Sequence, residues 1–244
     1  MKLRHLTLLT ALFLVALAGL FAAPAADTAE DNAGVVINQT DMLNYPPLLL
    51  YSGVNSGEVH AVISLDADGV LTDCLVVAYT NVAFADAASA ALKRWSYTPA
   101  RVHGRPSASR VDVLFDFQNK GVVVSSLPGS LERLFFHTTF DERFVYKACK
   151  LRDLDRIPTP LEVVQPKLPE GGLPPGTKRV VTVEFYIDEG GRVRMPAIER
   201  VAAEDPYAIA SVAAVEKWRF EPPLRDGRPA LVLAKQEFTF VPKL

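Results

Sequence analysis

Asp66, Asp68 and Asp73, gathered around Gly69, form the sequence's densest group of potential ligands. Three carboxylates at that spacing suit a hard cation such as calcium, which takes six to eight oxygens. A calcium loop of the EF-hand type also needs a bidentate Glu at its twelfth position, and counting from Asp66 that position is Val77. Asp66-Ala67-Asp68-Gly69 reads better as a hairpin turn, in which Gly supplies the positive φ. Beyond the N-terminal segment the histidines are His60, His103 and His137; none has a partner four residues on, so zinc spacing is absent. No nucleophile-elbow, zinc-protease, phosphate-loop or dinucleotide glycine motif occurs. No catalytic residue, metal site or cofactor is expected. The formal net charge of −2 over 244 residues lacks the basic footprint that phosphate backbones demand, which argues against nucleic acid as a partner.

The first residues carry a compartment signal. Lys2 and Arg4 precede an almost unbroken apolar run, Leu6 to Ala22, followed by Ala23-Pro24-Ala25, which fits a signal-peptidase site. Residues 1–26 are therefore read as a signal peptide of an exported, periplasmic chain, with an uncleaved inner-membrane anchor as the alternative. Export permits a disulfide, but Cys74 and Cys149 do not prescribe one.

The remainder contains an internal repeat. With Trp95 set on Trp218, Pro99 meets Pro222, Gly104-Arg105-Pro106 meets Gly227-Arg228-Pro229, Phe115 meets Phe238 and Phe117 meets Phe240, all without a gap. Upstream, Val59–Asp66 aligns with Val181–Asp188 after a one-residue insertion.

In the second copy Val181, Val183, Phe185 and Ile187 alternate with Thr182, Glu184, Tyr186 and Asp188, the period of a strand with one buried face. Asp188-Glu189-Gly190-Gly191 turns the chain into a second strand near Val193–Val201, as Asp66–Gly69 does into Val70–Val77. Asp205-Pro206 is an N-cap with proline at the first helical position. Tyr207, Ala210, Ala214 and Trp218 then share a stripe, matched by Phe84, Ala88, Ala91 and Trp95. Both tryptophans are expected in the core. Pro99 and Pro222 bar further helix, and a last strand follows.

The expected fold class is α+β: two tandem small domains, each a three-stranded antiparallel sheet with a helix packed on one face. The boundaries are 35–118 and 155–244. Residues 119–154, with Phe135, Phe136, Phe140, Phe144 and Tyr146, form a linker too aromatic to be a flexible spacer.

A strand ending in Asp-x-x-Gly, an Ala-rich helix, then Trp95-Ser96-Tyr97-Thr98-Pro99 and Gly104-Arg105-Pro106 resembles the TonB C-terminal domain. So does Trp218-Arg219-Phe220-Glu221-Pro222 with its own Gly-Arg-Pro. Asn44-Tyr45-Pro46 is similar to the family's Tyr-Pro lead-in, where the second copy has Leu168-Pro169. The resemblance implies a periplasmic module that pairs a strand with an extended segment of an outer-membrane receptor or other envelope protein. The 18 prolines form no proline-rich spacer and the apolar N-terminus carries no polar pair, which disfavours coupling to inner-membrane motor proteins. A non-catalytic adaptor is the leading expectation; a membrane-anchored energy transducer and a purely structural envelope protein are the alternatives. Edge-strand chemistry points to the last strands and the lead-ins as the contact. The candidate partner-binding residues are Tyr45, Pro46, Val111, Val113, Phe115, Gln165, Pro166, Lys235, Glu237 and Thr239.

Overall fold

The computed structural model describes residues 32–39, 42–127, 143–167, 169–198 and 205–242. The expected signal segment, most of the linker aromatics and Leu168 lie outside the described residues. Among those described, no helix is long and apolar enough to cross a membrane.

A short helix, α1 (Pro47–Tyr51), leads into strand β1 (Ser56–Leu65). The chain then forms β2 (Leu71–Tyr79), helix α2 (Val82–Arg94), β3 (Ser109–Gln118) and β4 (Gly121–Leu127). Two short strands follow, β5 (Tyr146–Lys147) and β6 (Cys149–Lys150). The second half contributes β7 (Arg179–Ile187), β8 (Val193–Ile198), helix α3 (Pro206–Val215) and β9 (Val232–Phe240).

The two halves use the same local devices. Asp66 Oδ1 accepts the amides of Asp68 and Val70, and Asp188 Oδ1 accepts those of Gly190 and Arg192. These carboxylates satisfy turn donors. Gly69 and Gly191 lie at φ +81° and +79°, each against a backbone carbonyl two residues past the tryptophan. Asn81 and Asp205 cap their helices by accepting the amides of Ala83 and Tyr207. The Gly-Arg-Pro segments sit in tight hairpins, whose turns hold His103-Gly104 and Asp226-Gly227 at positive φ. Trp95 and Trp218 are both buried, as expected for core anchors.

The sheets are larger than the three strands expected. The first has five antiparallel strands in the order β4-β3-β1-β2-β5. The second has four, β6-β9-β7-β8, with β6 parallel to β9 and the others antiparallel. Segments assigned to the linker supply the additions. Gly121–Leu127 extends the first sheet, while Tyr146–Lys150 pairs first with Ala78–Tyr79 and then with Val232–Leu233.

The single buried face is also corrected. Val59, Ala61, Ile63 and Leu65 pack under α2, and Val181, Val183, Phe185 and Ile187 pack with α3 residues Tyr207, Ala208 and Val215. The opposite faces are buried as well, because Val62, Leu75 and Val77 meet Tyr186, Met195 and Leu233 in a third cluster. The sheets therefore stack back to back, giving layers of helix, sheet, sheet, helix. Polar alternates that would mark a solvent face are enclosed: His60, Asp112, Glu184 and Asp188 are all buried.

Polar side chains, the buried Glu184 among them, are tied across the junction. Arg110 of β3 pairs with Glu184 of β7 and donates from Nη1 to the Met195 carbonyl at 3.1 Å. Arg194 of β8 grips the Asp73 carboxylate of β2 with two nitrogens, and Tyr146 donates to Glu189. Both thiols are free; Cys149 is buried, with its pKa pushed up to about 11 by burial.

His60 is edge-on to Phe144, and burial, with help from Lys147 and Arg143, lowers its pKa from 6.5 to about 4. The unfolded chain thus takes up the proton first as pH falls. The stability that neutral His60 carries is complete above about pH 6.5 and lost towards pH 4, on the order of 3 kcal/mol over that window. Urea titrations between pH 7 and 4 should show this slope, and His60→Asn should flatten it.

Candidate functional site, the strand edges

A sheet can recruit another chain only where a strand has unpaired amides and carbonyls, so the edges are the places to inspect. Val111–Phe117 is not one of them. β3 pairs with β1 on one side and with β4 on the other, Phe115 opposite Val59 and Val124, Val113 opposite Ala61 and Ser126. Val113 and Phe115 are completely buried and Val111 packs partly against the same core. The expectation that Val111, Val113 and Phe115 line an open edge is therefore corrected for Val113 and Phe115: the chain's own β4 pairs with β3 from Asp112 to Gln118, and Val111 lies one residue before that pairing.

Of the lead-in residues, Tyr45 is internal. It is buried, packs edge-on against Phe84 and Phe117, and donates its hydroxyl to the Val54 carbonyl at 2.8 Å. Pro46 caps the start of α1. In the second half, Gln165 and Pro166 lie outside any strand, just past Val164, whose carbonyl accepts the Trp218 indole N–H at 2.8 Å. Gln165 is exposed and Pro166 half-buried. The structure does not bring these four residues to a shared edge with the closing strands.

Lys235, Glu237 and Thr239 fare differently. All three are exposed on β9, which pairs along its whole length with β7 on one side. On the other side only Val232 and Leu233 are engaged, by Cys149 and Lys150 running parallel. From Ala234 to Phe240 that side has no strand partner among the described residues. Lys235 is also 3.5 Å from Glu184 Oε2, which fixes the start of the edge to the sheet junction.

Three further edges are defended to different degrees. β8 ends its sheet with Met195 at φ +50°, a register shift opposite Phe185 and a proline at 196. A bulge and a proline blunt an edge against pairing. β2 is covered at Ala78–Tyr79 by β5, and its Cys74 amide is taken by the Asp73 carboxylate at 2.8 Å. Among the described residues, β4 has none of these devices. Sequence reasoning missed it, although its Val122-Val123-Val124 run after Asn119-Lys120-Gly121 is a strand following a turn.

Two concave surfaces adjoin the sheets. A cleft of about 830 Å³ opens beside the sheet junction, between Thr72, Ser109 and Arg110 on one wall and Ile198, Ile209 and Val212 on the other. A second, of about 510 Å³, lies beside β4 and is lined in part by Leu43, Tyr45, Val122 and Val124. Neither holds an assembled nucleophile and base. No group of three or more His, Cys, Asp or Glu among the described residues is placed to hold a metal ion.

The first half thus has a Tyr-Pro lead-in, a hairpin closed by Asp and Gly, a capped helix ending on Trp95, and a long closing strand. Residues 42–118 match the family model of the Gram-negative bacterial TonB protein C-terminal. The TonB C-terminal match takes in α1, β1, β2, α2 and β3, and stops before β4. No curated protein matches the chain.

Proposed function

We propose that this is a non-catalytic, TonB-related protein of the bacterial periplasm that acts as an adaptor, capturing an extended segment of another envelope protein by strand pairing. The observation that carries the reading is the outer side of β9. It already accepts a parallel strand at Val232–Leu233 and has no strand partner on that side from Ala234 to Phe240 among the described residues. Main-chain hydrogen bonds along such an edge supply affinity, and Lys235, Glu237 and Thr239 flank it as the contacting side chains. The TonB C-terminal match over residues 42–118 supports the envelope setting. In this proposal residues 155–244 are a second copy of the domain, supported by the shared Asp turns, helix caps and tryptophans. The Leu6–Ala22 segment serves export.

Photo-crosslinking side chains placed at 235, 237 and 239 in the cell provide the test. Recovery of an outer-membrane receptor or another envelope protein is the expected result. Crosslinks only to the protein itself would sink the adaptor reading, and capture of inner-membrane motor components would replace it with an energy transducer.

A further inference from the structure

We propose that β4, Gly121–Leu127, is a second docking edge, and that it takes an extended, largely uncharged segment carrying one large apolar side chain and a carboxylate two residues from it on the same face. The inference rests on the strand-pairing reading above and assigns a different edge with its own partner chemistry.

The first observation is the exposed backbone. Gln118 and Gly121 flank a two-residue loop, so they exchange both hydrogen bonds, and the pairs Asp116–Val123 and Leu114–Ser125 follow in the same phase. The Asn119 amide bonds to Asn55 on the opposite side of β3, which fixes that alternation independently. Val122, Val124 and Ser126 are thereby left with amides and carbonyls directed away from the sheet, and no strand pairs with them among the described residues.

The second observation is composition. From Gly121 to Leu127 the strand has no charge and no proline, and Val123 is 60 % exposed. A long uncharged edge is a liability in a soluble protein unless something binds it. By contrast, β8 carries a bulge with a proline and β2 a covering strand.

The third is the adjoining cavity. Val122 and Val124 turn their side chains towards the α2-side core and also line the 510 Å³ cavity with Leu43, Tyr45 and Met42. In an antiparallel ladder, residues directly opposite one another share a face. A segment bonded to Val122 and Val124 therefore places its facing side chains at this cavity, whose lining takes an aliphatic or aromatic group. Among the described residues Lys120 is the sole charged residue of that lining, which is why a carboxylate belongs two residues from the apolar anchor, on the same face of the segment. Backbone pairing with a side-chain pocket is how strand-adding modules join affinity to specificity.

The test uses the full chain and a synthetic peptide of alternating threonine and valine, with one phenylalanine, an aspartate two residues after it, and two lysines at the far end for solubility. Amide exchange should show new protection at Val122, Val124 and Ser126 when the peptide is added. Ser126→Pro removes an outward donor at an exposed position, and Val123→Lys adds an edge charge without touching the core. Each should weaken binding at least ten-fold, as should replacing the peptide's phenylalanine by serine. Protection confined to Ala234–Phe240 would overturn this assignment and leave the adaptor reading standing, whereas protection at neither edge would remove both. Protection of β4 without peptide, rising with protein concentration, would overturn it in favour of a second copy of the chain.

Discussion

Arg110→Met should lower the free energy of unfolding by about 3 kcal/mol or more, the range seen when one partner of a buried ion pair is removed. Glu184 is 3 % exposed and Arg110 is the group that meets its Oε1. Lys235 stands 3.5 Å from Oε2, near enough to soften the loss but on a more exposed side chain. The variant also removes the donor to the Met195 carbonyl, within the bulge of β8. Both effects fall on the face where the two sheets meet, so the damage is expected in their association as well as in global stability. Urea unfolding followed by tryptophan emission is the measurement, because Trp95 and Trp218 lie under different sheets. A single shared transition at lower urea is the expected trace. The double variant Arg110→Met with Glu184→Met should regain most of the loss, since a well-packed apolar pair often replaces a buried ion pair at little cost. An Arg110→Met protein as stable as the parent would mean that the ion pair does not join the halves.

Gly191→Ala should cost roughly 2–4 kcal/mol, from left-handed strain together with a backbone collision. At φ +79°, a Cβ there would come within 2.0 Å of the Phe220 carbonyl oxygen. The Phe220 amide donates to the Gly191 carbonyl at 2.8 Å, so hairpin and post-helical strand are locked together at this point and neither can yield alone. Gly69→Ala should behave similarly in the first half, where the added atom would lie 2.5 Å from the Tyr97 oxygen. Gly34, with ordinary φ and nothing within 4 Å, is the control, and its alanine variant should stay within about 0.5 kcal/mol. Thermal unfolding of the three variants would check the ranking, and equal melting temperatures for Gly34→Ala and Gly191→Ala would refute it.

The features that sequence made legible are those with local physical causes. Trp95, Trp218, the Asp turns and the Asp205-Pro206 cap act through neighbours a few residues away, and each lies where the spacing put it. The second buried face was not legible. Glu184, Tyr186 and His60 alternate with core residues as a solvent face would, and a single strand's period cannot distinguish water from another sheet whose polar groups are paired. The edge expectation failed at Val111–Phe117 for a related reason. Strand pairing is a long-range property, and the residues that fill that edge follow the loop at Asn119-Lys120, inside a segment read as linker. Lys235, Glu237 and Thr239, expected on the last strand, are exposed on β9.

The stacking of two sheets by their second faces has a consequence for synthesis. Residues 42–127 contain all of β1 to β4, so the first unit can close on itself while the rest of the chain is still emerging N-terminus first. At that moment Val62, Leu75 and Val77 have no cover, because Tyr186 and Leu233 are made more than a hundred residues after Val77. The nascent protein passes through an interval in which a finished half displays a bare apolar wall. A holdase acting on this chain would find its window there, between the folding of one half and the arrival of the other.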